Sequence, residues 1–258
     1  MKEIINYKKF VEKIGIKKND KILINSNFLR IMILAKKKKK IFNLTKLVNA
    51  ILNRLGSGGT LLIPAYSWDF IKKKTFIVEK TKSITGSLSN HIIYNEKFKR
   101  THNPIYSFFV AGKDQKYLCS LKHQDSFSLN SPFGYLIKKK GKNIFLDIDY
   151  KDSFTFVHLA EQKIGVNYRF KKKFSGYIFR NSKKKKNITY MYARRLNTGV
   201  KGTKIDKKFD LILKKTRSLI SKKVFTLNCQ VIDVHKAYGI MVNNLLSKNK
   251  LIYPTFKK

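Results

Sequence analysis

The segment Asp152-Ser-Phe-Thr155-Phe-Val-His158-Leu-Ala-Glu161 holds the residues best suited to chemistry. Side chains at i and i+3 share a helical face, so a helix here points the His158 imidazole and the Glu161 carboxylate the same way. An imidazole exchanges protons near neutral pH, and a neighbouring carboxylate fixes its tautomer and stabilises the imidazolium. That pair is equipment for deprotonating an amine or hydroxyl that then attacks an electrophile. Thr155, one turn earlier, has two readings: its hydroxyl donates to a developing oxyanion, or it caps the helix N-terminus. Asp69 follows the apolar run Thr60-Leu-Leu-Ile-Pro64 and reads as a carboxylate at a strand end, where α/β sheets present ligand-facing residues. His91, His123 and His235 have no partners at metal-ligand spacing and read as structural, and no metal site is expected. His102 reads as a loop residue. Ser128 and Ser131 lack a Gly-x-Ser-x-Gly context, which argues against a hydrolase.

The elements that must position these residues alternate along the chain. Apolar spacing predicts a short helix within residues 1–18, a buried strand at Lys21–Asn25 and a helix from Asn43, its N-cap, to Leu55. Gly56–Gly59 is a turn, because a phosphate cradle lies between a strand and the following helix, the reverse of the order here. Strands are predicted at Thr60–Pro64, Ile105–Gly112, Asn143–Ile148 and Leu227–Val234. Helices are predicted at Thr155–Ile164, Asp206–Ser221 and His235–Leu246. Ile178–Tyr192 reads as short strands broken by Lys183–Lys186, and the lysine runs at 36–40, 138–140, 171–173 and 183–186 read as loops. The mixture implies an α/β fold, a single-domain layered α/β/α architecture with a central mixed sheet spanning residues 1–258.

Composition narrows the partners. Fifty-seven Lys and Arg against 15 Asp and Glu give a net charge of +42, a field that attracts anions and repels cations. Only eight of those cations are arginine, the residue preferred for bidentate phosphate and base recognition. The lysines are spread along the whole chain, and no finger, RNP or basic-zipper spacing occurs, so nucleic acid is not the expected partner. Cys119 and Cys229 show no C-x-x-C spacing, which fits a reducing compartment. The first residues form an amphipathic segment rather than a signal peptide, and no stretch approaches a membrane span. The expectation is a cytoplasmic protein.

Five ordered motifs over residues 5–247 resemble the aminoglycoside 3-N-acetyltransferase family. They are Ile24-Asn-Ser26-Asn27-Phe28; Gly59-Thr-Leu-Leu-Ile-Pro64-Ala-Tyr-Ser-Trp68-Asp69-Phe70; Arg100-Thr-His-Asn-Pro104-Ile-Tyr-Ser107; Asp125-Ser-Phe-Ser-Leu-Asn-Ser131-Pro-Phe-Gly134; and Thr155-Phe-Val-His158-Leu-Ala-Glu161, followed by Gly165-Val-x-Tyr168-Arg169. The resemblance implies direct acetyl transfer from acetyl-CoA to a sugar amine, with His158 and Glu161 as the catalytic pair and Asp69 completing the constellation at the acceptor. It also implies cofactor contacts at Ser26, Asn27, Phe28 and Ser107; ordinary turn roles remain open for the two serines. Tyr66 and Trp68 either stack on a sugar or pack in the core. The sequence departs from the family at Asn25, where the family has histidine, and at Ala35–Lys40, where it has a glycine-rich loop. Polycationic antibiotics are opposed by the +42 field, so the expected acceptor is a nucleotide-linked amino sugar for a surface polysaccharide. The alternatives are an aminoglycoside antibiotic, as in resistance, or a non-catalytic basic protein that binds nucleic acid or another anion.

Overall fold

The structure, a computed structural model, describes residues 2–247 and 251–256. Its strands are β1 (Lys21–Ser26), β2 (Thr60–Pro64), β3 (Thr75–Ile77), β4 (Lys99–Arg100), β5 (Phe108–Gly112), β6 (Lys142–Leu146), β7 (Arg169–Arg180), β8 (Lys183–Arg194), β9 (Val200–Ile205), β10 (Leu219–Val224), β11 (Leu227–Asp233) and β12 (Ile252–Phe256). Its α-helices are α1 (Tyr7–Ile14), α2 (Leu29–Lys37), α3 (Leu44–Leu55), α4 (Asp69–Lys73), α5 (Ser87–His91), α6 (Gln115–Ser120), α7 (Pro132–Lys138), α8 (Tyr150–Ser153), α9 (Phe156–Ile164), α10 (Lys207–Lys215) and α11 (Val234–Leu246).

Seven strands form one mixed sheet in the order β10-β11-β6-β1-β2-β5-β4. The central trio β6-β1-β2 is parallel, with Ile22 beside Leu61 and Lys142; the flanking pairs are antiparallel. Period-2 alternation splits the strand residues between two cores. Ile22, Ile24, Leu61 and Ile63 face a cluster built with α1, α2, α3 and α5, while Leu23 and Leu62 face one built with α6, α7, α9, α10 and α11. This is the layered α/β/α arrangement with a central mixed sheet. A smaller sheet, β3-β7-β8, covers a third cluster containing Phe70, Phe76, Ile105 and Phe174, and β9 pairs with β12. None of the helices among the described residues is long and apolar enough to cross a membrane.

Local signals explain several boundaries. The Asn43 side chain accepts the Lys46 amide at 3.0 Å and starts α3 where the sequence indicates. Three expectations are corrected. Lys183–Lys186 do not break the chain: they are the first residues of a 12-residue strand paired throughout with β7, and the turn is Asn181-Ser182. Both turn residues have positive φ, the conformation of the tight hairpin turns whose twist matches the strands. Lys36–Lys37 and Lys138 close helices α2 and α7, where cations complement the helix C-terminus. Leu219 faces the core from β10 rather than from a helix, because α10 ends at Lys215.

Candidate active site

Helix α9 carries the two residues singled out for proton transfer, and it packs on α11 with Phe156, Leu159 and Ala160 buried. His158 keeps 22% of its side chain exposed whereas Glu161 has none, so one end of the pair meets solvent and the other is sealed. His158 Nδ1 lies 2.7 Å from Glu161 Oε2. With a carboxylate accepting at Nδ1, the neutral ring carries its proton there and leaves the Nε2 lone pair available. The Phe127 ring stands edge-on to the imidazole at 5.4 Å and limits its rotation.

Glu161 is held on every side. Tyr168 donates its hydroxyl to Oε1 at 2.9 Å, Thr203 donates to the same oxygen, and Arg169 Nε lies 2.7 Å from Oε2. Arg169 is itself buried, with Nη1 donating to the Tyr192 carbonyl and Nη2 to the Thr203 hydroxyl. The local chain path produces this cluster. Gly165 ends α9 at φ 72°, a left-handed conformation that glycine adopts without steric penalty. The reversal returns Tyr168 and Arg169 onto the carboxylate they follow by seven and eight residues.

Burial alone pushes the Glu161 carboxyl up, but the His158 hydrogen bond and charge, the Arg169 charge and the Thr203 hydroxyl outweigh it and hold it below the usual range. For His158, burial pushes the imidazole down; Glu161 opposes this, and Arg169 and Arg194 add to it, leaving the ring below its ordinary value. Both directions favour a neutral imidazole beside an ionised carboxylate at neutral pH, the state a general base requires.

Thr155 sits at the N-cap position, yet its hydroxyl does not cap the helix and instead donates to the Ser153 carbonyl at 3.4 Å. It lies beside the buried Tyr66 hydroxyl, an oxygen with no other partner among the described residues. Tyr66 belongs to an aromatic wall that runs through Tyr106 (4.9 Å) to Phe127 (4.7 Å from Tyr106), and half-buried Trp68 stands edge-on to Tyr106. Core packing accounts for most of the Tyr66 and Trp68 surface.

The remaining expected residues separate from this cluster to different degrees. Asp69 opens α4 instead of ending β2, is 40% exposed and pairs with Lys73 at 3.2 Å; it makes no hydrogen bond or ion pair to His158 or Glu161. Ser107 is fully buried: it donates to the Ala65 carbonyl at 2.7 Å and accepts from Arg100 Nε at 2.9 Å, so its only proton is committed inside the core. The Phe28 side chain is core, 1% exposed and tilted against Phe42 at 5.1 Å, and its backbone occupies the N-cap position of α2. Ser26 ends β1, and Asn27 donates its amide to the Leu146 carbonyl at the same edge of the parallel strands. Asn25, at the family histidine position, donates to Asn143 Oδ1 at 2.7 Å, a bond across the parallel pair. Among the described residues no group of three or more His, Cys, Asp or Glu is placed to hold a metal ion.

Sequence reasoning missed Thr203, which lies 42 residues from Glu161 and has no motif around it, and it left Tyr168 and Arg169 without roles. Arg194 pairs in register with Arg169 across the hairpin. With Lys172, Arg195, Phe170, Phe174 and Met191 it lines a groove of about 530 Å³.

A family model, aminoglycoside 3-N-acetyltransferase, matches residues 32–245. No curated protein matches the chain. Among solved structures, sisomicin-bound AAC-VIa superposes with a TM-score of 0.75 at 15% identity, covering 95% of this chain and 98% of that one. AAC-IIIb in a binary complex with CoASH gives 0.73 at 14% identity, covering 94% and 95%. The YokD protein from Bacillus subtilis gives 0.70 at 17% identity, covering 93% and 97%. At these identities the likeness is one of fold.

Proposed function

The chain belongs to the aminoglycoside 3-N-acetyltransferase family, and from that premise we propose that it transfers an acetyl group from acetyl-CoA to the amine of an anionic amino sugar, such as one carried on a nucleotide for surface polysaccharide. The observation that carries the chemistry is the His158 ring, mostly buried with one part reaching solvent, locked to a fully buried, ionised Glu161. Nε2 takes a proton from the amine as its nitrogen attacks the thioester carbonyl, and Glu161 and Arg169 hold the resulting imidazolium in place. The Thr155 hydroxyl, whose contact to the Ser153 carbonyl is long at 3.4 Å, is the candidate donor to the tetrahedral oxyanion. The imidazolium then returns its proton to the departing CoA sulfur, which restores the base. Acetyl-CoA as donor is supported by the family and by the CoASH complex of AAC-IIIb.

The acceptor class rests on charge. Arg194, whose field reaches His158, shares its groove with Lys172 and Arg195, and no carboxylate lines that groove. A polycation entering there meets like charge close to the base, and the net charge of +42 opposes it at longer range. An anionic sugar meets the opposite. The test is purified protein with acetyl-CoA, offered a kanamycin-type aminoglycoside and a nucleotide-linked amino sugar in parallel, with free thiol release as readout. Higher kcat/KM for the nucleotide-linked sugar is expected; higher kcat/KM for the antibiotic overturns the acceptor assignment while leaving the base intact.

A further inference from the structure

The β7–β8 hairpin encloses a second cavity, of about 730 Å³, that contains none of the residues around His158. Lys122, Arg180, Lys183, Lys185 and Lys186 line it together, with no carboxylate among the lining residues. The strand register explains the convergence. Arg180 lies directly opposite Lys183, and Ile178 opposite Lys185, so one face of the hairpin presents three cations to the cavity. Lys184 and Lys186 are out of phase and belong by register to the other face; Lys184 stands over the Tyr177 ring at 4.1 Å, and Lys186 borders the cavity from that side. Like charges placed directly across a strand pair are unfavourable unless something neutralises them. The nearby carboxylates are engaged elsewhere: Glu79 accepts the Asn181 amide at the turn, and Asp125 pairs with Lys171 at 2.8 Å and accepts from Gln162.

The cavity floor is polar and incompletely satisfied. Arg180 donates from Nη2 to the Arg100 carbonyl at 2.8 Å, which fixes its guanidinium, while its Nε is buried without a partner among the described residues. His123 engages the Asp125 carbonyl through Nδ1 and leaves Nε2 buried and unpartnered. His102, also in the lining, is held below its ordinary value by burial and then by the charges of Arg180, His123 and Lys185. An anion there would favour the protonated imidazoles, turning their free nitrogens into donors.

We propose that this cavity binds the phosphate-bearing nucleotide end of a co-substrate, with Arg180 as the fixed fork and Lys183, Lys185 and Lys186 as mobile cations around the phosphates. Two co-substrates of the proposed reaction carry such an end: the 3′-phosphorylated nucleotide of acetyl-CoA and the nucleoside diphosphate of the sugar. The wall also has a path to the base. Gln124 lines the cavity and Phe127, three residues on, stands edge-on to His158, so the backbone between them spans at most about 10 Å. Which co-substrate supplies the nucleotide rests on the acetyl-transfer reading; the binding site itself does not.

The test compares wild type with a combined Lys183→Glu, Lys185→Glu, Lys186→Glu variant and with a charge-matched control, Lys207→Glu, Lys208→Glu, Lys214→Glu on α10. All six lysines are exposed, so neither variant removes core packing. Binding of 3′,5′-ADP and of UDP is measured by calorimetry at about 0.15 M salt, together with the His102 and His123 ring resonances. At least tenfold weaker binding of one nucleotide in the hairpin variant, with the control unaffected and the two histidine resonances responding in wild type, is the expected result. If the KM for acetyl-CoA rises at least tenfold while acetyl-pantetheine is handled unchanged, the nucleotide is that of CoA. If the KM for the UDP-linked amino sugar rises while the free sugar is unchanged, it is that of the acceptor. Equal weakening in both variants, or no binding of either nucleotide to wild type, overturns the proposal. Retained nucleotide binding without acetyl transfer to any sugar would instead remove the proposed function and leave the site standing.

Discussion

Glu161 and Asp69 are both carboxylates in sequence motifs that point to the same chemistry, yet the fold treats them in opposite ways. Glu161 is sealed beneath α9, touched by an imidazole, a guanidinium and two hydroxyls. Asp69 opens a five-residue helix at the surface, 40% exposed, with Lys73 as its ion-pair partner. The difference is one of dielectric and of partners. A buried charge acts strongly on its neighbour because water does not screen it, and it persists only if its hydrogen bonds are satisfied. An exposed pair contributes little to stability and acts on a ligand only at short range. The buried region therefore sets the reactivity of the base, while Asp69 is left to influence what approaches it.

Substitutions at the two ends test that division. His158→Ala should lower kcat by ~10²–10⁴ with acetyl-CoA binding retained, the usual yield of a positioned base; steady-state kinetics with calorimetry for CoA checks both halves. Glu161→Ala leaves Arg169 buried beside an empty carboxylate site, and a loss of about 3–5 kcal/mol in denaturant unfolding is expected, against less than ~0.5 kcal/mol for Asp69→Asn. Equal losses would erase the contrast. In kinetics, Asp69→Asn should raise the KM of the amine acceptor while leaving that of acetyl-CoA unchanged; the reverse pattern would place Asp69 at the donor side. Thr203→Val removes one of four contacts to Glu161 and should cost about 1 kcal/mol of stability, with the imidazole displaced least.

The pH dependence follows from the same region. His158 is depressed in the folded protein, so between its folded value and about 6.5 the unfolded chain binds more protons. Stability from this group is therefore complete above about 6.5 and is lost as the pH falls through the folded value. Glu161, also depressed, adds a second loss beginning below the ordinary carboxylate value of 4.5. The acid limb of kcat/KM should accordingly fall below pH 6.5 in wild type and vanish in the residual activity of His158→Ala.

The chain shows which parts of such a site can be read in one dimension. The His158–Glu161 pair was legible because both residues lie on one helical turn, where spacing fixes geometry. Asn43 and the Thr60–Pro64 strand were legible for the same local reason. Thr203 was not, since it reaches Glu161 from β9 after an intervening hairpin, and no local pattern marks a tertiary contact of that kind. Ser107, which the family resemblance places at the cofactor, is buried by the fold to accept from Arg100 and donate to the Ala65 carbonyl, tertiary partners that no local pattern marks. The hairpin lysines misled through composition: four consecutive lysines look like a loop, but cross-strand pairing with β7 over the third core cluster overrides their weak strand preference.

The central claim is that the His158 Nε2 lone pair takes the proton of the acceptor amine. A structure of the ternary complex with CoA and an amino sugar measures it most directly. The amine nitrogen is expected within hydrogen-bond reach of Nε2, about 2.6–3.2 Å, and in line with the thioester carbonyl at about 3–3.5 Å. An amine bound beyond reach of His158, directly or through one water, and served instead by another base would contradict it.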